Sequence, residues 1–210
     1  MQPHVDILLF GGAFDPPHIG HTTVVEQVLI QKFADQVVLM PVGQHPFSKM
    51  LSSAEYRLEL LKIAFNSLFS QFPDRLLVDT FEISQQNTTY TYDSLLYLQK
   101  KYPRKTLGLL IGSDNVAKFD SWKFSDEIKK ICTIFVYPRL GFPVDDESKL
   151  LKSVSQVESS STEIRELIGD SAQSANSEKL KKNLDLAVLH YILKHNLYQK
   201  RGDHERGHNN

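Results

Sequence analysis

The chain is expected to fold as a doubly wound α/β domain: a mostly parallel sheet with helices on both faces and a small helical part at the C-terminal end. Two observations carry this. Short apolar runs rich in β-branched residues recur at 5–10 (VDILLF), 36–42 (QVVLMPV), 75–83 (RLLVDTFEI), 106–112 (TLGLLIG) and 132–138 (CTIFVYP). Each is bounded by polar or turn residues, as buried strands are. Segments with helical spacing lie between them, and such alternation implies right-handed crossovers that join parallel strands.

In chain order, Val24, Val25, Val28 and Leu29 form the apolar stripe of a first helix after the first strand. Leu60, Leu61, Ala64, Phe65 and Leu68 mark a second, opened by Ser52 and Glu55 at capping-box spacing. YDSLLYLQKKY (92–102) and SDEIKKI (125–131) supply two more. Residues 139–158, acidic at 145–147, and residues 169–183, rich in Ser, Ala, Asn and Lys, are expected to be surface loops. Neither holds enough apolar surface to order itself. Helical spacing resumes over 184–198 with Leu186, Val188, Leu189, Ile192 and Leu193. Residues 1–198 are therefore read as one domain, with its core in 5–165 and its helical part in 166–198. The segment 199–210 has no apolar anchor and is expected to fray.

Composition narrows the function. The 210 residues carry 24 basic and 25 acidic side chains, so no global field draws the chain onto nucleic acid or anionic lipid. An anionic ligand must be held by a local site. The single cysteine, Cys132, excludes an internal disulfide and a multi-cysteine zinc cluster, and is read as a core residue. The first apolar run stops at Gly11, too early for a signal peptide or a membrane span. A cytoplasmic protein with no nucleic-acid or membrane partner is expected; oligomeric state is left open.

The stretch GGAFDPPHIGH (11–21) joins the first strand to the first helix, where ligands of doubly wound folds bind. Glycines allow a sharp turn and close approach to a ligand. The helix beginning near Gly20 and His21 turns its N–H groups and positive dipole end to the same place. An anion is the natural occupant, and His18 and His21, three residues apart, can face it together. A second such place is SSSTEIR (159–165). Ser160 and Glu163 have capping-box spacing, Ser161 and Thr162 add hydroxyls, and Arg165 adds a forked cation suited to phosphates.

GAFDPPHIGH resembles the H-x-G-H signature of the nucleotidylyltransferase superfamily, and SSSTEIR its I-S-S-T-x-[IV]-R signature, with Ser159 where Ile is usual. PVGQHPFSKMLSSAEYRLELL, TTYTYDSLLYL, LLIGSDNVAKFDSWKFSDEI and YILKHNLY are similar to segments of the nicotinate or nicotinamide mononucleotide adenylyltransferases. The resemblance spans most of residues 5–198. It implies a Rossmann-like nucleotidylyltransferase fold and adenylyl transfer from ATP to a pyridine mononucleotide, with release of pyrophosphate, in NAD biosynthesis.

By the same resemblance, His18, His21 and Arg165 are the catalytic residues. Gly11, Gly12, Ala13, Phe14, Gly112, Asp114, Ser161 and Thr162 join them in holding ATP. Lys49, Tyr90, Thr91 and Trp122 are assigned to the mononucleotide, Trp122 stacking on the pyridine ring; Lys49 is also placed toward the phosphates. Mg²⁺ enters with ATP rather than in a protein cage, and no metal-ligand cluster is seen. Departures from the family pattern are HPFSK where Pro-His-Lys is usual, which leaves the role of His45 open, and Asp185 near the place of a usual proline. Alternatives are a phosphopantetheine or glycerol-phosphate nucleotidylyltransferase, a class I aminoacyl-tRNA synthetase, which the length argues against, and a non-catalytic nucleotide-binding module.

Overall fold

A computed structural model of the chain describes residues 3–43, 51–144, 151, 153–156, 158–170 and 177–199. The elements in order are β1 (Val5–Gly12), α1 (Ile19–Ile30), β2 (Ala34–Pro41), α2 (Ala54–Gln71), β3 (Leu76–Val78), α3 (Phe81–Ser84) and α4 (Thr91–Lys101), then β4 (Leu107–Gly112), α5 (Ser113–Phe119), α6 (Ser125–Ile131), β5 (Thr133–Tyr137), α7 (Ser161–Gly169), α8 (Glu178–Asn183) and α9 (Leu186–Lys194). The strands form one sheet in the order β3-β2-β1-β4-β5, with every pairing parallel. The doubly wound expectation holds. Strand order reverses between β1 and β4, so the crevice at their carboxyl ends is where this architecture binds ligands.

Alternation along the strands feeds two separate cores. Leu8, Phe10, Val37, Leu39, Leu110 and Phe135 pack against Val24, Val25, Val28 and Leu29 of α1 and Leu61 and Phe65 of α2. Ile7, Leu9, Val38, Met40, Leu109, Ile134 and Val136 face the other way, onto Leu95 and Leu98 of α4, Phe119 of α5 and Ile128 of α6. Each side chain so buried contributes about 1.5–3 kcal/mol. A third cluster, Leu60, Ile164, Ile168, Leu180, Leu184, Val188, Leu189 and Ile192, fastens α7, α8 and α9 to the outer side of α2. It places α7 beside the carboxyl end of β1.

Several local expectations are corrected. The strand expected over 75–83 ends at Val78, and Phe81–Ser84 is a helical turn. Asp79 stops the strand by accepting the Phe81 N–H at 2.9 Å, the turn-forming habit of aspartate. Ser53 rather than Ser52 caps α2, accepting the Tyr56 N–H. In the stretch 169–183, read as a loop, residues 178–183 form α8, capped by Ser177. Leu180, fully buried, anchors it, and tertiary packing of one apolar side chain outweighs a polar composition. The connection 139–158 is irregular, yet its Leu151 and Val154 are buried in the first core. Its acidic positions 145–147, and residues 200–210 of the segment expected to fray, lie outside the described residues. Cys132 is partly buried against the second core, and burial pushes its thiol up to about 12.

Candidate active site

The β1–α1 turn is built by its own breakers. Phe14 takes a left-handed φ of 48°, which points its ring down onto Phe10, His21 and Phe65. The Phe14 ring is 1% exposed, so what this residue offers a ligand is backbone. Gly11, Gly12 and Ala13 form the exit of β1. A side chain at Gly12 would meet the Phe14 ring at 3.2 Å, so the glycine allows the tuck. His18, in extended conformation, is the N-cap of α1. Its N–H donates to Nδ1 of His21 at 3.2 Å, and the two rings stack with centroids 3.7 Å apart. Nδ1 of His21 is thereby an acceptor, which leaves Nε2 as that ring's N–H donor.

The second signature arrives at the same turn. Ser160 is the N-cap of α7 but makes no side-chain cap bond; Glu163 pairs with Lys179 of α8 instead, so the expected capping box does not form. Ser161 donates to the Pro16 carbonyl at 2.9 Å and Arg165 to the Asp15 carbonyl at 2.6 Å. A second Arg165 nitrogen donates to Thr162 Oγ1 at 3.2 Å. The amino ends of α1 and α7 therefore converge, adding two positive dipole ends to one place.

Two cations that the sequence did not single out stand here. Arg139, just beyond β5, donates through Nη2 to the Ser159 carbonyl at 3.0 Å, and its N–H donates to Ser113 Oγ at 2.9 Å. Its Nε lies 3.6 Å from Asp114 Oδ1. That oxygen and His18 Nδ1 are the buried side-chain polar atoms without a hydrogen-bond partner among the described residues. Unpaired polar atoms of this kind are costly, and each calls for a partner. No sequence signal singles out Arg139. Arg57 is 2% exposed and donates to the carbonyls of Ala13 and Ser52, each at 3.0 Å. Its signal was available: 57, 60, 61, 65 and 68 form one helical stripe, which puts Arg57 on the buried face.

Electrostatics follow from burial. His18, 3% exposed, is depressed from 6.5 to about 3 by burial and then by Arg139. Desolvation, then His18 and Arg139, hold His21 well below its ordinary value. Both imidazoles are neutral at physiological pH. They are neutral donors, and the fixed charge beside them is that of Arg139.

Gly112 caps α5 at the end of β4. A Cβ there would stand 2.3 Å from Asp114 Oδ1 and 2.8 Å from Arg139 Cδ, so only glycine lets these two approach each other. Gly112 and Asp114 thus stand beside Arg139 at the carboxyl end of β4, the strand next to β1. Tyr90 and Thr91 start α4, where Asp93 accepts the Tyr90 N–H at 3.0 Å. Trp122 is half-buried against Phe119, with ring centroids 5.2 Å apart. Its neighbour Lys123 lies over the Tyr90 ring at 4.2 Å, which brings the Trp122 segment to the start of α4. Lys49 and His45 lie outside the described residues.

The cytidylyltransferase-like family profile matches residues 9–167. A relative from Dehalococcoides mccartyi, "Probable nicotinate-nucleotide adenylyltransferase", is 32% identical over 205 residues, 90% of this chain and 95% of that protein. The chain belongs to this adenylyltransferase family. A second relative of the same name, from Sulfurimonas denitrificans, is 34% identical over 77% of this chain and 85% of its own length. In structure the chain is similar to Plasmodium falciparum nicotinic acid mononucleotide adenylyltransferase complexed with NaAD, with a TM-score of 0.79 and 22% identity, over 93% of this chain and 98% of that one. The likeness shows the adenylyltransferase fold. Among the described residues, no helix is long and apolar enough to cross a membrane.

Proposed function

We propose that this site transfers the adenylyl group of ATP to nicotinate mononucleotide, releasing pyrophosphate and forming the dinucleotide of NAD biosynthesis. The relatives' names favour nicotinate over nicotinamide mononucleotide as acceptor. The observation that carries the mechanism is the convergence of two helix amino ends, two stacked neutral imidazoles and Arg139 on one turn.

The acceptor's 5′-phosphate has a second pKa of about 6 and is largely dianionic at neutral pH, so it attacks the α-phosphorus without a general base. The site's task is to align two anions and neutralise charge building on the α-phosphoryl oxygens and the leaving pyrophosphate. His18 and His21 donate to the phosphates as neutral N–H groups. Arg139 supplies fixed positive charge next to them. Ser161 and Arg165 hold the turn and Thr162 accepts from Arg165, and the three would meet the outgoing pyrophosphate. Asp114 faces the ribose hydroxyls. Tyr90, Thr91 and Trp122 receive the pyridine ring, with Lys49 reaching in from the preceding loop.

The residues present fit a Mg²⁺ that travels with the triphosphate. The Asp15 carboxylate, at the turn, is engaged by protein donors on both oxygens, so it would not be a ligand of that ion. Such an ion would supply positive charge that offsets that of the phosphates. The test is pyrophosphate release from ATP with each mononucleotide supplied separately. Release with nicotinate mononucleotide, reduced about a thousandfold in His18→Ala, is expected. Release with neither mononucleotide removes the substrate assignment, and equal rates in wild type and variant remove His18 from the site.

A further inference from the structure

The turn that carries the first signature is held almost wholly through buried carbonyls and one carboxylate. Arg57 takes the Ala13 carbonyl, Arg165 that of Asp15 and Ser161 that of Pro16. The side chain of Asp15, 1% exposed, takes the Ser52 N–H on Oδ2 at 3.1 Å. Its other oxygen accepts the hydroxyl of Tyr198 at 2.7 Å, across 183 residues.

Tyr198 follows α9, in a segment no part of the mechanism uses. It sits there in an unfavourable conformation. Tyr198 has φ 65° and Asn196 φ 50°, the left-handed region that L side chains rarely adopt. An untethered segment would shed that cost by fraying. Here backbone bonds from His195 to Tyr191, Asn196 to Leu193 and Leu197 to Ile192 close the turn, and Leu197 and Tyr198 pack on the third cluster. Burial, then the charge of Asp15, pushes the phenol up from 10.0, so the hydroxyl stays protonated and donates.

We infer that Tyr198 is a positioning residue for triphosphate binding: its hydroxyl fixes the Asp15 carboxylate, and through it the backbone of the turn that presents His18. The inference rests on the reading of this turn as the triphosphate site. Docking of residues 195–198 is then part of forming that site. Without the hydroxyl, Asp15 keeps one of its two side-chain donors, and a buried carboxylate short of a donor relaxes toward water. The turn moves with it.

The test is ATP binding by calorimetry, without acceptor, on wild type, Tyr198→Phe, Asp15→Asn and the double variant, at a temperature where each is folded. Tyr198→Phe is expected to weaken ATP binding about tenfold, the scale of one charge-assisted hydrogen bond. In turnover assays it should raise the KM for ATP while leaving that for the mononucleotide unchanged. The double variant should be no weaker than Asp15→Asn alone, because both changes break one link. A Tyr198→Phe variant that melts lower but binds ATP as wild type does overturns the inference and leaves the tyrosine only structural. Additive losses overturn the route through Asp15. Wild type that binds ATP but transfers to neither mononucleotide defeats the substrate reading and not this one; wild type that does not bind ATP defeats both.

Discussion

The phosphate end and the acceptor end of the crevice are built on different principles. At the β1–α1 turn, Asp15, His18 and Arg57 are each 3% exposed or less, and carbonyls at 13, 15 and 16 have side-chain partners drawn from α2 and α7. At the α4 and α5–α6 end, Tyr90, Thr91 and Trp122 are half-buried, and the cation beside them, Lys123, is an exposed side chain lying over an aromatic ring. The first region is pre-organised, so the charge it stabilises meets groups already in place. The second offers side chains at the start of α4 and in the α5–α6 connection, which can be exchanged without disturbing the sheet. On the proposed assignment, triphosphate binding would be tied to the fold and the choice of acceptor to a few half-exposed residues.

The sharpest way to break the contrast is Arg57→Met. If the phosphate end is held by buried donors, two carbonyls lose their partner and stability falls by about 3 kcal/mol in urea unfolding. A loss under 1 kcal/mol would place this end on a par with the acceptor end. Arg139→Met comes next: kcat/KM for ATP is expected to fall about a hundredfold. Arg139 lowers the pKa of both histidines, so its removal should also raise the His18 titration midpoint in NMR. An unmoved midpoint would take Arg139 away from the imidazoles.

Acid sharpens the same point. His18 is depressed from 6.5 to about 3 by its burial, so the unfolded chain binds a proton there that the folded chain refuses. Stability is full above pH 6.5 and is lost as pH falls toward 3, at about 1.4 kcal/mol per pH unit for this histidine. Urea midpoints at pH 7, 6 and 5 check this against His18→Gln, whose profile should be flatter. The smallest effect belongs to the acceptor end. Trp122→Ala should raise the mononucleotide KM roughly tenfold and leave ATP binding intact; equal losses for both substrates would mean that the two ends are not separable.

What could be read in advance divides along the same line. The alternation of strands and helices was legible because period and turn chemistry are local, and so was the turn at 11–21, whose breakers sit side by side. The short β3 was not, because Asp79 stops a strand only once its carboxylate bonds the Phe81 amide. Helix α8 was not, because one buried Leu180 secures it against elements distant in sequence. The role of Arg57 was half legible: its place on the stripe of 57, 60, 61, 65 and 68 is local, but its carbonyl partner at Ala13 is set by the fold.

Sequence alone determined that a turn rich in glycine and proline would lie after the first strand, with histidines at its helical end, since backbone preference and short spacing decide both. Only the tertiary structure decided which distant groups complete it. Arg139 and Tyr198 reach the turn across more than a hundred residues. Whether a polar group at such a distance is left in water or given a buried partner depends on desolvation by the assembled fold, a quantity no local pattern encodes.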